Sequence, residues 1–147
     1  MNNEAIKIQC VENEEQLSIV LDFCYNILGS HLKDVENYRY EDWIKRLKNG
    51  KELLLFACEE GKDVSAVLGR REGDESLILG FVVCDEEYRR KGITKGLINQ
   101  IEDKAKKIGF KYITLGADNK ATEFYEKCGY KEVNELHGQK IYQKLLK

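Results

Sequence analysis

The chain has 147 residues, 42% of them apolar and 34% charged, with 24 basic against 26 acidic side chains. That length allows one domain, spanning 1–147, with a single sizeable core, and that composition excludes a disordered chain. The formal charge of −2 offers no basic excess for binding a phosphate backbone, so no nucleic-acid partner is expected, while a local basic site for one phosphorylated ligand stays open.

The opening MNNEAIKIQC lacks a basic segment followed by an apolar stretch, so no signal peptide is expected. Ile6 to Val11 alternate apolar and polar and predict a first strand. Glu14 to Leu28 place Leu17, Val20, Leu21, Cys24, Ile27 and Leu28 on one helical stripe, which Gly29 and Ser30 end. A loop or short helix follows over His31 to Arg39, and Tyr40 to Lys48 then set Trp43, Ile44 and Leu47 at helical spacing. Glu52 to Glu59 and Val64 to Arg71 read as strands flanking the turn Glu60-Gly61-Lys62-Asp63, a hairpin. Ser76 to Cys84 (SLILGFVVC) is nearly all apolar, as a central strand covered on both faces would be. Gly80 inside it marks a bulge or a close backbone approach.

From Ile93 the period changes. Ile93, Leu97, Ile98, Ile101, Ala105 and Ile108 line one helical face, and Gly109 is a natural stop. Lys111 to Gly116 predict a short strand. Asn119 reads as the cap of a helix carrying Ala121, Phe124, Tyr125 and Cys128, with Gly129 as its stop. Tyr130 to Leu136 and Lys140 to Leu146 alternate as two closing strands around His137-Gly138. No apolar run reaches the length of a membrane span, so no membrane partner is expected. The five cysteines are odd in number, scattered and without a Cys-x-x-Cys pair, which argues for free thiols and a cytoplasmic chain. His31 and His137 show no metal-ligand spacing, so no metal is expected.

The chemistry concentrates in Val82 to Ile98, VVCDEEYRRKGITKGLI. An apolar strand ends, an acidic turn follows, and Arg89-Arg90-Lys91-Gly92 opens a long amphipathic helix. A helix start leaves main-chain N–H groups without partners at its positive dipole end, and glycine lets a ligand approach them closely. With three basic side chains added, the segment reads as a pyrophosphate site or, more plainly, as a solvated cap beside Asp85, Glu86 and Glu87. The phosphate-binding Gly-x-x-x-x-Gly-Lys-Ser/Thr loop and the dinucleotide Gly-x-Gly-x-x-Gly fingerprint are both absent.

This stretch resembles the acetyl-coenzyme A loop of the GCN5-related N-acetyltransferase (GNAT) family, Gln/Arg-x-x-Gly-x-Gly/Ala at a strand-to-helix junction. Arg89 and Gly92 match its first and fourth positions, while Thr94 stands where Gly or Ala is usual. Downstream, Asn119 to Tyr130 (NKATEFYEKCGY) resembles the family's second signature, and the likeness runs in order from about Leu53 to Leu146. The resemblance implies a single-domain α/β (α+β) fold. Its central mixed, mostly antiparallel sheet of six or seven strands would splay between the fourth and fifth strands, flanked by about four helices. It also implies acetyl-CoA as cosubstrate and direct transfer of the acetyl group to an amine of a small molecule or peptide. Arg89, Arg90, Lys91, Gly92, Ile93 and Thr94 would hold the phosphates. Main-chain N–H groups of Val82, Val83 and Cys84 would face the thioester carbonyl. Tyr125 would be the general acid, and Asn119 and Phe124 would border the cofactor arm. In the hydroxyl of Thr94 the resemblance offers a donor to the pyrophosphate, or extra bulk against it. Dimers are common in the family, so a homodimer is an expectation too.

A general base is not evident, because Leu77 to Cys84 contains no carboxylate and Glu72, Asp74 and Glu75 fall in the preceding turn. An acceptor pocket is expected from the first two helices and the closing strands, with Asp34, Glu36, Glu41, Asp42, Tyr38, Tyr40 and Trp43 as candidates. Cys84 and Cys128 read as packing residues. A second reading keeps the fold and the cofactor but makes the chain a non-catalytic acetyl-CoA sensor. A third makes the basic loop a contact for an acidic protein partner.

Overall fold

A computed structural model describes residues 6–29, 40–50, 52–71, 73, 75–117 and 119–147, the side chains of 40–42 excepted. The predicted loop from His31 to Arg39, with Asp34, Glu36 and Tyr38, lies outside the described residues, as do Glu72 and Asp74. The described elements run β1 (Ile6–Cys10), α1 (Glu14–Leu28), α2 (Tyr40–Lys48), β2 (Glu52–Glu59), β3 (Lys62–Arg71), β4 (Ser76–Cys84), a single 3₁₀ turn (Glu86–Tyr88), α3 (Ile93–Ile108), β5 (Tyr112–Ala117), α4 (Thr122–Lys127), β6 (Lys131–Leu136) and β7 (Gln139–Leu145).

The strands form one sheet of seven in the order β1-β2-β3-β4-β5-β7-β6. Pairing is antiparallel except between β4 and β5, which α3 connects as a crossover. The β2–β3 hairpin closes on Glu60 and Gly61, both at positive φ (50° and 83°), the two-residue turn whose twist suits adjoining strands.

Two apolar layers cover the sheet. On one face α3 and α4 bury Leu97, Ile98, Ile101, Ala105 and Tyr125 against Leu55, Val67, Leu77, Leu79, Ile113 and Leu115. On the other, α1 and α2 bury Leu17, Val20, Leu21, Cys24 and Trp43 against Leu54, Phe56, Ala66, Leu68, Phe81 and Val83. Each large side chain so buried contributes about 1.5–3 kcal/mol. Gly69 lets α3 sit close on β3, since a Cβ there would lie 2.8 Å from Leu77 Cδ2 and 2.9 Å from Ile101 Cδ1.

The feature that shapes the site is a bulge in β4. Leu68 pairs with Phe81 but Gly69 pairs with Leu79, which leaves Gly80 as the extra residue. Since side chains alternate along a strand, one inserted residue reverses the faces. Leu77 and Leu79 accordingly point to the α3 layer, whereas Phe81 and Val83 point to the α1 layer. At the same place β4 parts from β5, the pairing running only from Ser76–Tyr112 to Leu79–Leu115. Gly80 to Cys84 thus continue along β3 with a splay on their other side.

Strands β3, β5, β6 and β7 start within two residues of their expected positions, at Lys62, Tyr112, Lys131 and Gln139, and the start of α4 moves as well. Asn119 does not cap α4; the cap position is Ala121, with no side-chain cap hydrogen bond. The turn runs two residues further, and the Thr122 hydroxyl donates to the Asn119 carbonyl at 3.3 Å.

Candidate active site

The splay exposes main-chain groups in a definite pattern. The Asp85 N–H donates to the Val64 carbonyl at 2.8 Å, which makes that pair hydrogen-bonded in the antiparallel ladder. Alternation makes Val83–Ala66 the next such pair and turns the amides of Val82 and Cys84 the other way, into the splay. Val83 differs from its neighbours: its backbone belongs to the ladder with β3 and its side chain is buried in the α1 layer. It frames the opening, with its N–H directed at β3 and the amides of Val82 and Cys84 directed into the splay.

Directly after β4 the Asp85 side chain is held on both oxygens. Asp85 Oδ1 accepts the Glu87 N–H at 3.0 Å, and Asp85 Oδ2 lies 3.8 Å from Lys62 Nζ. Tyr88 then receives Lys91 Nζ at 5.1 Å and Lys62 Nζ at 5.5 Å over its ring. Arg89, Arg90 and Lys91 are exposed. Arg90 (φ 65°) and Gly92 (φ 80°) both adopt left-handed backbone, a conformation that costs a non-glycine residue about 1–2 kcal/mol. That turn delivers the chain into α3 with Gly92 at the cap position and no side-chain cap. The first amide of the junction with a helical acceptor is that of Gly96, to the Gly92 carbonyl at 3.0 Å. The amides just before it are the orphan donors of a helix start, and a Cβ on Gly92 would meet nothing within 4 Å. The junction thus offers open, convergent donors at a positive dipole end, the chemistry of an anion site.

Thr94 Oγ1 lies 3.1 Å from Ser65 Oγ, so the side chain turns toward β3. Tyr125 is 7% exposed and belongs to the same apolar layer as Val82 and Ile93. Its ring sits edge-on to Phe124 at 5.1 Å and to Tyr130 at 5.9 Å. Phe124 is half-buried beside it, and Asn119 is exposed. Burial holds the Cys128 thiol, packed against the α3 layer, above its ordinary value, and the Cys84 thiol donates to the Asp85 carbonyl at 3.5 Å.

Trp43, an expected pocket residue, is instead fully buried with the Arg46 guanidinium 5.6 Å above its ring. Glu75 is exposed and paired with Lys111 at 3.6 Å. Sequence reasoning missed Glu52, a carboxylate 4% exposed whose Oε1 lies 3.3 Å from Arg46 Nε and 3.4 Å from Arg70 Nε. It also missed Ser65, whose only trace is a lone hydroxyl among Val64, Ala66 and Val67. Among the described residues no cluster of His, Cys, Asp and Glu is placed to hold a metal, and no helix is long and apolar enough to cross a membrane.

A strand splayed from its parallel neighbour, running through a basic glycine turn into a long helix, is the arrangement that the resemblance implied. The sequence profile of the acetyltransferase (GNAT) domain matches residues 12–141. The chain belongs to the GNAT acetyltransferase family. An uncharacterized N-acetyltransferase of Methanocaldococcus jannaschii is 33% identical over 110 residues, 67% of this chain and 47% of that protein. The chain thus spans about half the length of that curated relative. Among solved structures, the PaiA N-acetyltransferase of Thermoplasma acidophilum, in complex with coenzyme A, superposes with a TM-score of 0.76 at 20% identity, covering 95% of this chain and 98% of that one. A GNAT family acetyltransferase of Elizabethkingia anophelis, with acetyl-CoA bound, gives 0.71 at 15% identity over 98% and 100% of the two chains.

Proposed function

We propose that this GNAT chain is an acetyl-CoA-dependent N-acetyltransferase, carried by one domain, that transfers the acetyl group directly to a primary amine of a small molecule or peptide. One observation carries the reading: the splayed edge of β4 and the uncapped start of α3 meet at a single basic turn. The coenzyme A and acetyl-CoA present in the two structural neighbours support it.

The residues fit that cofactor. The main-chain donors from Gly92 to Lys95 and the side chains of Arg89, Arg90 and Lys91 would hold a diphosphate, each charge-assisted hydrogen bond contributing about 1.5–3 kcal/mol. When bound, acetyl-CoA supplies the activated acyl group and a thiol leaving group. The N–H groups of Val82 and Cys84 would orient the acyl oxygen and stabilise the negative charge that develops on it. They need no reorganisation, because β3 fixes the strand on its other side. Tyr125 Oη would donate a proton to the departing sulfur. Phe124 and Tyr130 fix the ring that carries it. No base is assigned: Glu52 Oε1 already lies against two guanidinium groups.

Thiol release from acetyl-CoA, followed across a panel of small amines and peptide N-termini, tests the proposal. Turnover with an amine-dependent rate is the expected result. Cofactor binding without transfer to any amine would leave a binding module in its place.

A further inference from the structure

Ser65 is fully buried in β3, next to the splayed end of β4. Its hydroxyl donates to the Val83 carbonyl at 2.7 Å. A serine hydroxyl carries one hydrogen, so that donation spends it. The 3.1 Å contact between Ser65 Oγ and Thr94 Oγ1 must therefore run the other way, with Thr94 donating to Ser65. A directed chain results: Thr94 Oγ1–H to Ser65 Oγ, and Ser65 Oγ–H to the Val83 carbonyl. It starts in the first turn of α3 and ends on the residue between Val82 and Cys84.

Two consequences follow from the direction. The Thr94 hydroxyl has no second hydrogen, so it cannot also donate to a phosphate; only its backbone N–H can. The chain also spans the two halves of the site, the anion-binding turn and the carbonyl-binding strand. We propose that Thr94 and Ser65 are positioning residues that clamp the start of α3 to the splayed end of β4 and so fix the spacing that the cofactor must bridge. This rests on the reading of the site as an acetyl-CoA site.

The test is a double-mutant cycle read as the Kd and KM for acetyl-CoA, with Tm measured without cofactor for every variant. Thr94→Val keeps the shape and removes the donor, and is expected to weaken acetyl-CoA binding about 5- to 10-fold, the worth of one hydrogen bond. Thr94→Ser should restore affinity to within about twofold, since it keeps the hydroxyl. Ser65→Ala should reproduce the loss, and the double variant should be no worse than either single one. The loss should fall on KM more than on kcat. Additive losses, or tighter binding in Ser65→Ala as a released Thr94 hydroxyl turns to the phosphates, would overturn the clamp. If Ser65→Ala folds poorly, Thr94→Val against Thr94→Ser still decides: equal affinity in the two overturns it. Absence of binding by the unaltered chain would instead overturn the acetyl-CoA reading beneath it.

Discussion

Helix α3 ends in two opposite ways. At its start the backbone passes through left-handed Arg90 and Gly92, no side chain caps the helix, and the donors face open space. At its far end Gly109 closes the helix on the carbonyls of Ala105 and Lys106. There Glu102, 9% exposed, accepts the Tyr130 hydroxyl at 2.9 Å and Lys144 Nζ at 3.0 Å, while Lys144 also reaches the Cys128 carbonyl at 2.9 Å. Burial first, and then the Glu102 charge, push the Tyr130 phenol far above its usual value. One end spends its hydrogen bonds on the fold; the other keeps them for a ligand. An uncapped, strained helix start is a cost to stability that binding can offset.

Four experiments separate the two ends, from the largest effect to the smallest. Gly92→Glu puts a carboxylate among the donors of the open end and should abolish measurable acetyl-CoA binding. The fold should survive, because the space there is open and only the positive φ adds strain of about 1–2 kcal/mol. An unchanged Kd by calorimetry would refute the anion site. Tyr125→Phe should lower kcat by about 10²–10⁴ with little change in acetyl-CoA affinity; full turnover would remove the phenol from the mechanism.

At the closed end, Lys144→Met leaves Glu102 with a buried charge and one partner fewer. The expected cost is about 1–3 kcal/mol, or several degrees in Tm, with acetyl-CoA affinity unmoved. A parallel loss of affinity would show that the two ends are not separable. The smallest effect concerns Asp63, which precedes the Val64–Asp85 pair at the edge of the open end. Its Oδ2 is buried without a hydrogen-bond partner, and burial raises its pKa. The unfolded chain ionises more readily than the folded one, so this group's contribution to stability is lost as pH rises through the folded value. Asp63→Asn should therefore gain Tm on the parent chain between about pH 4 and about pH 7. A constant difference across that range would show that Asp63 ionises freely. Cys24, buried nearby, has its thiol pushed up to about 12 by burial and by Asp63, and stays neutral throughout.

Much of this was legible in the sequence where local physics decides. Helical spacing places α1 and α2, and a flanking turn and an unbroken apolar run place β2 and β4, at their observed bounds, while Gly80 and Gly109 signal the bulge and the stop where they occur. Legibility failed where a long-range contact decides. Nothing local tells that Thr94 turns to Ser65, 29 residues away. Nor does the pattern reveal that Trp43 is needed under Arg46 in the core, or that Glu52 gathers Arg46 and Arg70. Asn119 misled as a cap because a cap-type residue near an apolar stripe does not fix the first helical residue, and α4 starts at Thr122 with Ala121 at the cap position.

The open end of α3 stands or falls on ligand-linked stability. With acetyl-CoA at about a hundred times its Kd, the chain should gain about 2.7 kcal/mol and several degrees in Tm, a shift that grows with cofactor concentration. A Tm that stays fixed at every acetyl-CoA concentration would mean that the turn from Arg89 to Thr94 holds no such ligand.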